Sequence, residues 1–273
     1  MNRLSIFEHK RNTIFYMNLD IALVQTDLYW ESPTANLAML EEKIAAITQS
    51  IDLIILPEMF TTGFTMNPEQ WAEPMNFTTF KWLKLVAAQT GAIVTGSYAV
   101  KENGQYFNRL VWMQPNGEFD CYDKRHLFRM GGEDKVYTAG SHKIIKTIKN
   151  WKICPLICYD LRFPVWSRNV DLEYDLLINV ANWPAVRSQT WDVLLQARAI
   201  ENQCYVVGVN RTGHDGNGLA HNGNSAVIDF KGEVLFKEND TQLVHCQSLD
   251  KNSLDLFRQN FPAYLDADSF VID

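Results

Sequence analysis

The sequence predicts a layered α/β fold in which helices cover at least one face of each sheet. Two observations predict it. Short, nearly unbroken apolar runs, such as residues 51–56 and 153–157, read as strands too deeply buried to alternate polar with apolar. Between several of these runs lie segments whose apolar residues recur three and four positions apart, the period of a helix that buries one stripe. Whether there is one sheet or two does not follow from the pattern.

The elements follow in chain order. Residues 19–25 form the first apolar run; Ser32-Pro33 then supplies an N-cap and first-turn pair, followed by Leu37, Leu40, Ile44 and Ile47 at helical spacing. After the strand at 51–56, Phe80, Leu83, Val86 and Ala87 mark a helix that Gly91 ends, ahead of a strand at 92–98. The middle of the chain is strand-rich and predicts hairpins: runs at 107–113, 118–122 and 144–148, with turns at Pro115-Asn116-Gly117 and Lys149-Asn150. Pro164 opens a short helix toward Asn169, and residues 176–180 form the next strand. Residues 188–202 read as a helix with Trp191, Leu194, Leu195 and Ile200 turned to a core, leading into a strand at 204–209. The Gly/Asn-rich stretch 213–223 reads as a surface loop, because no helix follows it as a phosphate site would require.

The chain has 273 residues, 47% hydrophobic and 21% charged, and no proline-rich, glycine/serine-rich or single-sign stretch divides it. One domain is expected over residues 17–273, with residues 1–16 as an N-terminal extension that lacks the apolar core of a secretory signal. A formal net charge of −7 without clustered Lys and Arg disfavours nucleic acid as a partner. The apolar runs are too short to span a bilayer. Five cysteines, an odd number without framework spacing, fit reduced thiols in the cytoplasm, and no second Cys/His pair completes a zinc site with Cys154 and Cys158.

Three blocks carry chemistry: Leu56-Pro57-Glu58-Met59-Phe60, Asp123-Lys124-Arg125-His126-Leu127-Phe128 and Ile157-Cys158-Tyr159-Asp160-Leu161-Arg162-Phe163-Pro164. Each follows an apolar run, so a carboxylate, an ammonium and a thiol leave strands at the rim of a sheet, where distant segments can converge. A cysteine is only a few per cent thiolate at neutral pH and needs a base, a cation or a helix N-terminus to act as a nucleophile. Glu58, Lys124 and the predicted strand-to-helix step at Cys158 offer all three. Taken singly, each has a plainer reading: Cys158 as a core residue, Glu58 paired to a structural cation, Lys124 on a solvated turn. His126 reads as structural, and Glu133, in Met130-Gly131-Gly132-Glu133-Asp134, as a loop carboxylate. The other four cysteines read as packing residues.

Together the blocks resemble the nitrilase, or carbon-nitrogen hydrolase, superfamily. The resemblance runs from Met17 onward and includes Gln25-Thr26-Asp27, Asn182-Trp183-Pro184, Ala197-Arg198-Ala199-Ile200-Glu201-Asn202 and Asn210-Arg211-Thr212-Gly213. The glutamate, cysteine and Asn-Trp-Pro blocks look most like the omega-amidase branch, which hydrolyses the amides of 2-oxoglutaramate and 2-oxosuccinamate. The resemblance implies a four-layer α-β-β-α sandwich, a homodimer joined by helices beside the nucleophile, and a catalytic set of Glu58 (base), Lys124 (oxyanion cation), Cys158 (nucleophile) and Glu133 (auxiliary carboxylate). The backbone N–H of Tyr159 would be a second oxyanion donor, and neither metal nor organic cofactor is needed. A substrate carboxylate would need a cation, for which Arg187 is the candidate, with Trp183 and Phe64 as walls. His221 stands where the family more often has an aromatic residue. Nitrilases, N-carbamoyl hydrolases and aliphatic amidases would use the same four residues, and a catalytically silent interaction protein could share the fold.

Overall fold

A computed structural model of the chain describes residues 18–271; the predicted extension, residues 1–16, lies outside the described residues. Seven strands build the first sheet: β1 (Asn18–Gln25), β2 (Leu53–Ile55), β3 (Glu73–Pro74), β4 (Ile93–Glu102), β5 (Gln105–Met113), β6 (Phe119–Asp123) and, late in the chain, β14 (Leu243–Asp250). The second sheet holds β7 (Lys146–Ile148), β8 (Trp151–Ile157), β9 (Leu176–Ala181), β10 (Tyr205–Asn210), β11 (Thr212–His214), β12 (Ala220–Ile228) and β13 (Val234–Asn239). Each sheet has a parallel centre, β1-β2-β4 and β8-β9-β10, flanked by antiparallel strands.

Parallel neighbours need crossovers, and helices supply them. Helix α1 (Pro33–Ala45) joins β1 to β2, the short α2 (Pro68–Trp71) and α3 (Thr78–Thr90) lie between β2 and β4, and α5 (Ser188–Asn202) joins β9 to β10. Pro33 opens α1, and Gly91 closes α3 in a left-handed conformation at φ 69°, as the sequence predicts. Strand β1 shows how the layers stack. Leu19, Ile21 and Leu23 enter a core shared with Trp151, Ile153 and Val207 of the other sheet, whereas Ala22 and Val24 pack with Leu37, Leu40, Leu83 and Val86 of α1 and α3. On the far side, Trp191 and Leu195 of α5 press so close to β10 that a Cβ on Gly208 would lie 2.6 Å from both side chains. The result is the four-layer α-β-β-α sandwich.

Three expectations need correction. Ile200 is 56% exposed, because α5 turns Trp191, Leu195, Arg198 and Ala199 inward and Ile200 falls off that stripe. Residues 213–223 are not a plain surface loop: β11 and β12 pair as a hairpin around a turn at Asp215–Gly218 and bury His221. The helix opened by Pro164, α4 (Pro164–Ser167), is only four residues long. The C-terminal strand β14, antiparallel to β1, and α6 (Lys251–Asn260), which Asp250 caps through the Asn252 N–H, carried no sequence expectation.

In each sheet the strands that bear the three chemical blocks point the same way. Glu58 follows β2, Lys124 follows β6, Cys158 follows β8 and Asn182 follows β9, so all four emerge at carboxyl ends of strands. That rim is where open α/β sheets bind ligands.

Candidate active site

Glu58 leaves β2 through Leu56-Pro57, and the chain then doubles back with Met59 at φ 42°. The turn is held by the Met59 N–H donating to Ser97 Oγ at 3.0 Å, and it crosses β4 at Gly96, where a Cβ would meet Leu56 and Phe60 within 3 Å. Cys158 ends β8 in a similar way. It begins a five-residue 3-10 turn, Cys158–Arg162, with its own φ at 45°, a left-handed value that a non-glycine residue keeps only when its surroundings fix it.

The structure brings Glu58, Lys124, Cys158 and Glu133 together. Lys124 Nζ lies 2.8 Å from Glu58 Oε1 and 2.9 Å from Glu133 Oε2, with all three side chains fully buried. Asn108, from inside β5, donates to Glu58 Oε1 (2.8 Å) and Glu133 Oε1 (3.2 Å). The Phe128 N–H donates to Glu133 Oε2 at 2.6 Å, and the Asn182 N–H to Glu58 Oε2 at 2.8 Å. The remaining Glu58 interaction is with the Cys158 thiol.

Burial disfavours the Lys124 ammonium, but Glu133 and Glu58 outweigh it and hold the group charged, above its ordinary value. Burial raises the Glu133 carboxyl against the pull of Lys124. Burial also pushes the Cys158 thiol well up; the Glu58 charge adds to this, and Lys124 offsets only part. Of the base, cation and helix N-terminus that the sequence offered, the helix is a short 3-10 turn, and the Glu58 carboxylate and the Lys124 ammonium are the charged groups that act on the thiol.

Above the thiol is a cavity of about 50 Å³. Phe64, Tyr159, Trp183 and Arg187, all named from the sequence, line it. The lining also includes Phe128, Arg162, Asn182 and His221, which sequence reasoning did not select. The Arg187 guanidinium lies 5.3 Å from the Phe128 ring centre and that of Arg162 5.3 Å from Trp183. Neither is ion-paired to a carboxylate among the described residues. His221 Nδ1 faces the Leu219 carbonyl at 3.0 Å and so is assigned as the protonated nitrogen. Burial, with Arg211 nearby, lowers the His221 pKa to about 4 and keeps the ring neutral.

Signals for some of the missed residues were present. Asn108 is a polar residue within the apolar run 107–113, and Arg162 and Asn182 lie inside the quoted blocks. Phe128 closes the Lys124 block, and His221 stood out only as a departure from the aromatic residue more common in the family. Among the described residues no group of three or more His, Cys, Asp or Glu side chains could hold a metal ion, and no helix is long and apolar enough to cross a membrane.

The chain resembles known proteins over most of its length. The chain is 44% identical to the omega-amidase YafV of Yersinia enterocolitica over 93% of its own length and 98% of the relative's. It is 33% identical to the 2-oxoglutaramate amidase of Bacillus subtilis, over 92% and 98%. The crystal structure of XC1258 from Xanthomonas campestris, a CN-hydrolase superfamily protein with an arsenic adduct in its active site, superposes with a TM-score of 0.92 at 43% identity, covering 94% of this chain and 99% of that one. The carbon-nitrogen hydrolase family model matches residues 20–259. With most of its length inside that match, the chain belongs to the carbon-nitrogen hydrolase family.

Proposed function

We propose that the protein is an omega-amidase that hydrolyses the terminal amide of 2-oxo dicarboxylate monoamides, 2-oxoglutaramate and 2-oxosuccinamate, to the acid and ammonia. The observation that carries the reading is the position of Glu58. One buried carboxylate meets Lys124 and Asn108 on one oxygen and the Asn182 N–H on the other, beside a thiol that needs a base.

In the proposed reaction Glu58 takes the thiol proton as Cys158 sulfur attacks the amide carbonyl. The charge that develops on oxygen is held by Lys124 and the backbone N–H of Tyr159; such donors contribute roughly 3–4 kcal/mol each in comparable sites. Glu58 then passes its proton to the nitrogen, the C–N bond breaks, and ammonia leaves a thioester on Cys158. Water gives a proton to Glu58 as it attacks the thioester; the C–S bond breaks, and the proton returns to sulfur. Glu133 keeps Lys124 in place and charged. Burial of this kind makes each electrostatic contact stronger than it would be in water.

The substrate carboxylate is assigned to Arg187, whose guanidinium has no carboxylate partner among the described residues, with Phe64 and Trp183 packing on the chain. We also infer a cytoplasmic homodimer, a reading supported by five free thiols and by exposed Val165, Val193 and Ile200 on α4 and α5. A panel of 2-oxoglutaramate, glutamine, a carbamoyl amine and an aliphatic nitrile, scored by ammonia release, tests the activity. The reading expects 2-oxoglutaramate to be preferred, and preference for any other compound overturns it.

A further inference from the structure

We infer that Asp160 is a positioning residue, which clamps the strained turn carrying Cys158 to the loop carrying Lys124. Its carboxylate is fully buried and accepts four hydrogen bonds. Oδ2 receives the Ile157 N–H (3.1 Å) and the Tyr122 hydroxyl (2.6 Å). Oδ1 receives the His126 N–H (3.0 Å) and faces His126 Nδ1 at 2.8 Å. The identities of these donors matter more than their number. Ile157 precedes the nucleophile, and Asp160 itself follows it by two positions, so the pair brackets the residue held at φ 45°. His126 follows Lys124 by two positions, and Tyr122 precedes it by two. One carboxylate thus fixes the backbone on both sides of the thiol and the loop on both sides of the ammonium.

The surroundings of the clamp are themselves braced. Trp166 Nε1 donates to the Tyr122 hydroxyl at 3.0 Å, and the His126 ring stacks on Phe163 with centroids 3.7 Å apart and planes 7° from parallel. A left-handed non-glycine residue persists only where neighbouring contacts over-determine it. Asp160 is where those contacts converge. An ionised carboxylate offers about four acceptor sites and no donor, which matches four incoming donors; an asparagine would turn an N–H₂ against two of them. A small error in the sulfur-to-ammonium relation then acts on the reacting geometry, where misplacement by about 1 Å can cost about 10²-fold.

The proposal rests on the amidase reading, and the test separates the two. Wild type, Asp160→Asn, Tyr122→Phe and Leu254→Ala are assayed with 2-oxoglutaramate well below their melting temperatures, and Cys158 alkylation by iodoacetamide is followed by mass spectrometry. Leu254, on the buried face of α6, is a control for lost stability alone. If wild type releases no ammonia, the amidase reading fails. With an active wild type, Asp160→Asn is expected to lower kcat roughly 10- to 100-fold with KM within about threefold and to change the Cys158 alkylation rate. Tyr122→Phe is expected to lower kcat several-fold in the same pattern, and Leu254→Ala to keep kcat. Unchanged kcat in Asp160→Asn, or an equal fall in Leu254→Ala, overturns the clamp. Should Asp160→Asn not fold, Tyr122→Phe decides: reduced kcat at constant KM supports the clamp, and full kcat overturns it.

Discussion

The two halves of the cavity are built on different physical terms. On the floor, Glu58, Lys124 and Glu133 are fully buried and tied by charge-assisted hydrogen bonds, with Asn108, Asn182 and the Phe128 N–H in support. On the walls, Phe64, Tyr159, Arg162 and Arg187 are half-buried and held by ring packing and cation–π contacts. The floor has almost no freedom, since removing one member of a buried ion pair strands a charge at a cost of about 3–5 kcal/mol. The walls can change residue without that penalty. On the proposed reading, the chemistry sits in the rigid half and substrate choice in the adaptable one.

Substitutions can break that contrast. Cys158→Ser is expected to lower kcat by more than about 10⁴-fold with little effect on folding, and adding Glu58→Gln should cost little more, because the two act as a unit. Steady-state ammonia release checks both. On the walls, Arg187→Gln should raise KM for 2-oxoglutaramate roughly 10- to 100-fold, the worth of a charged hydrogen-bonding partner, and leave an uncharged short amide unaffected. An equal response of both substrates would remove Arg187 from recognition. Asn108→Ser, at a position outside the cavity lining, should lower kcat about tenfold or more at constant KM, as expected when the hydrogen bonds to Glu58 and Glu133 are lost.

A pH experiment sharpens the same contrast from the side of stability. Burial raises the Cys154 pKa to about 12. Below the ordinary thiol value of about 8.5 both folded and unfolded states carry the proton, so its contribution is fully present there. Above it the unfolded chain ionises first, and stability is lost as pH rises toward the folded value. At pH 10 the loss is about 2 kcal/mol per such thiol. Urea midpoints at pH 8 and pH 10 should therefore converge in Cys154→Ala relative to wild type. An identical pH slope in the two proteins would refute the assignment.

Much of this division was legible in the sequence, and the reasons are physical. Glu58, Lys124 and Cys158 each follow an apolar run, and a polar group leaving a buried strand has few places to go. The helix at 188–202 was legible to the residue, with Trp191 and Leu195 four positions apart on its buried face. Its neighbour Ile200 was misassigned because hydrophobicity alone does not give rotational phase. Phe128 and His221 were not legible as walls, since they arrive from a loop and a hairpin whose placement depends on packing between sheets. The upward push of burial on the Cys158 thiol was hidden for a similar reason: the sequence shows which charges are near, while burial decides the balance between them.

The hydrogen bonds between Glu58 and Asn182 join positions 124 apart in the chain, one at the rim of each sheet. A molecule whose two sheets have not met therefore holds the sulfur apart from the carboxylate and the ammonium that arm it. Ammonia production then reports the docking of one sheet on the other, and refolding followed by turnover should lag behind refolding followed by far-ultraviolet circular dichroism.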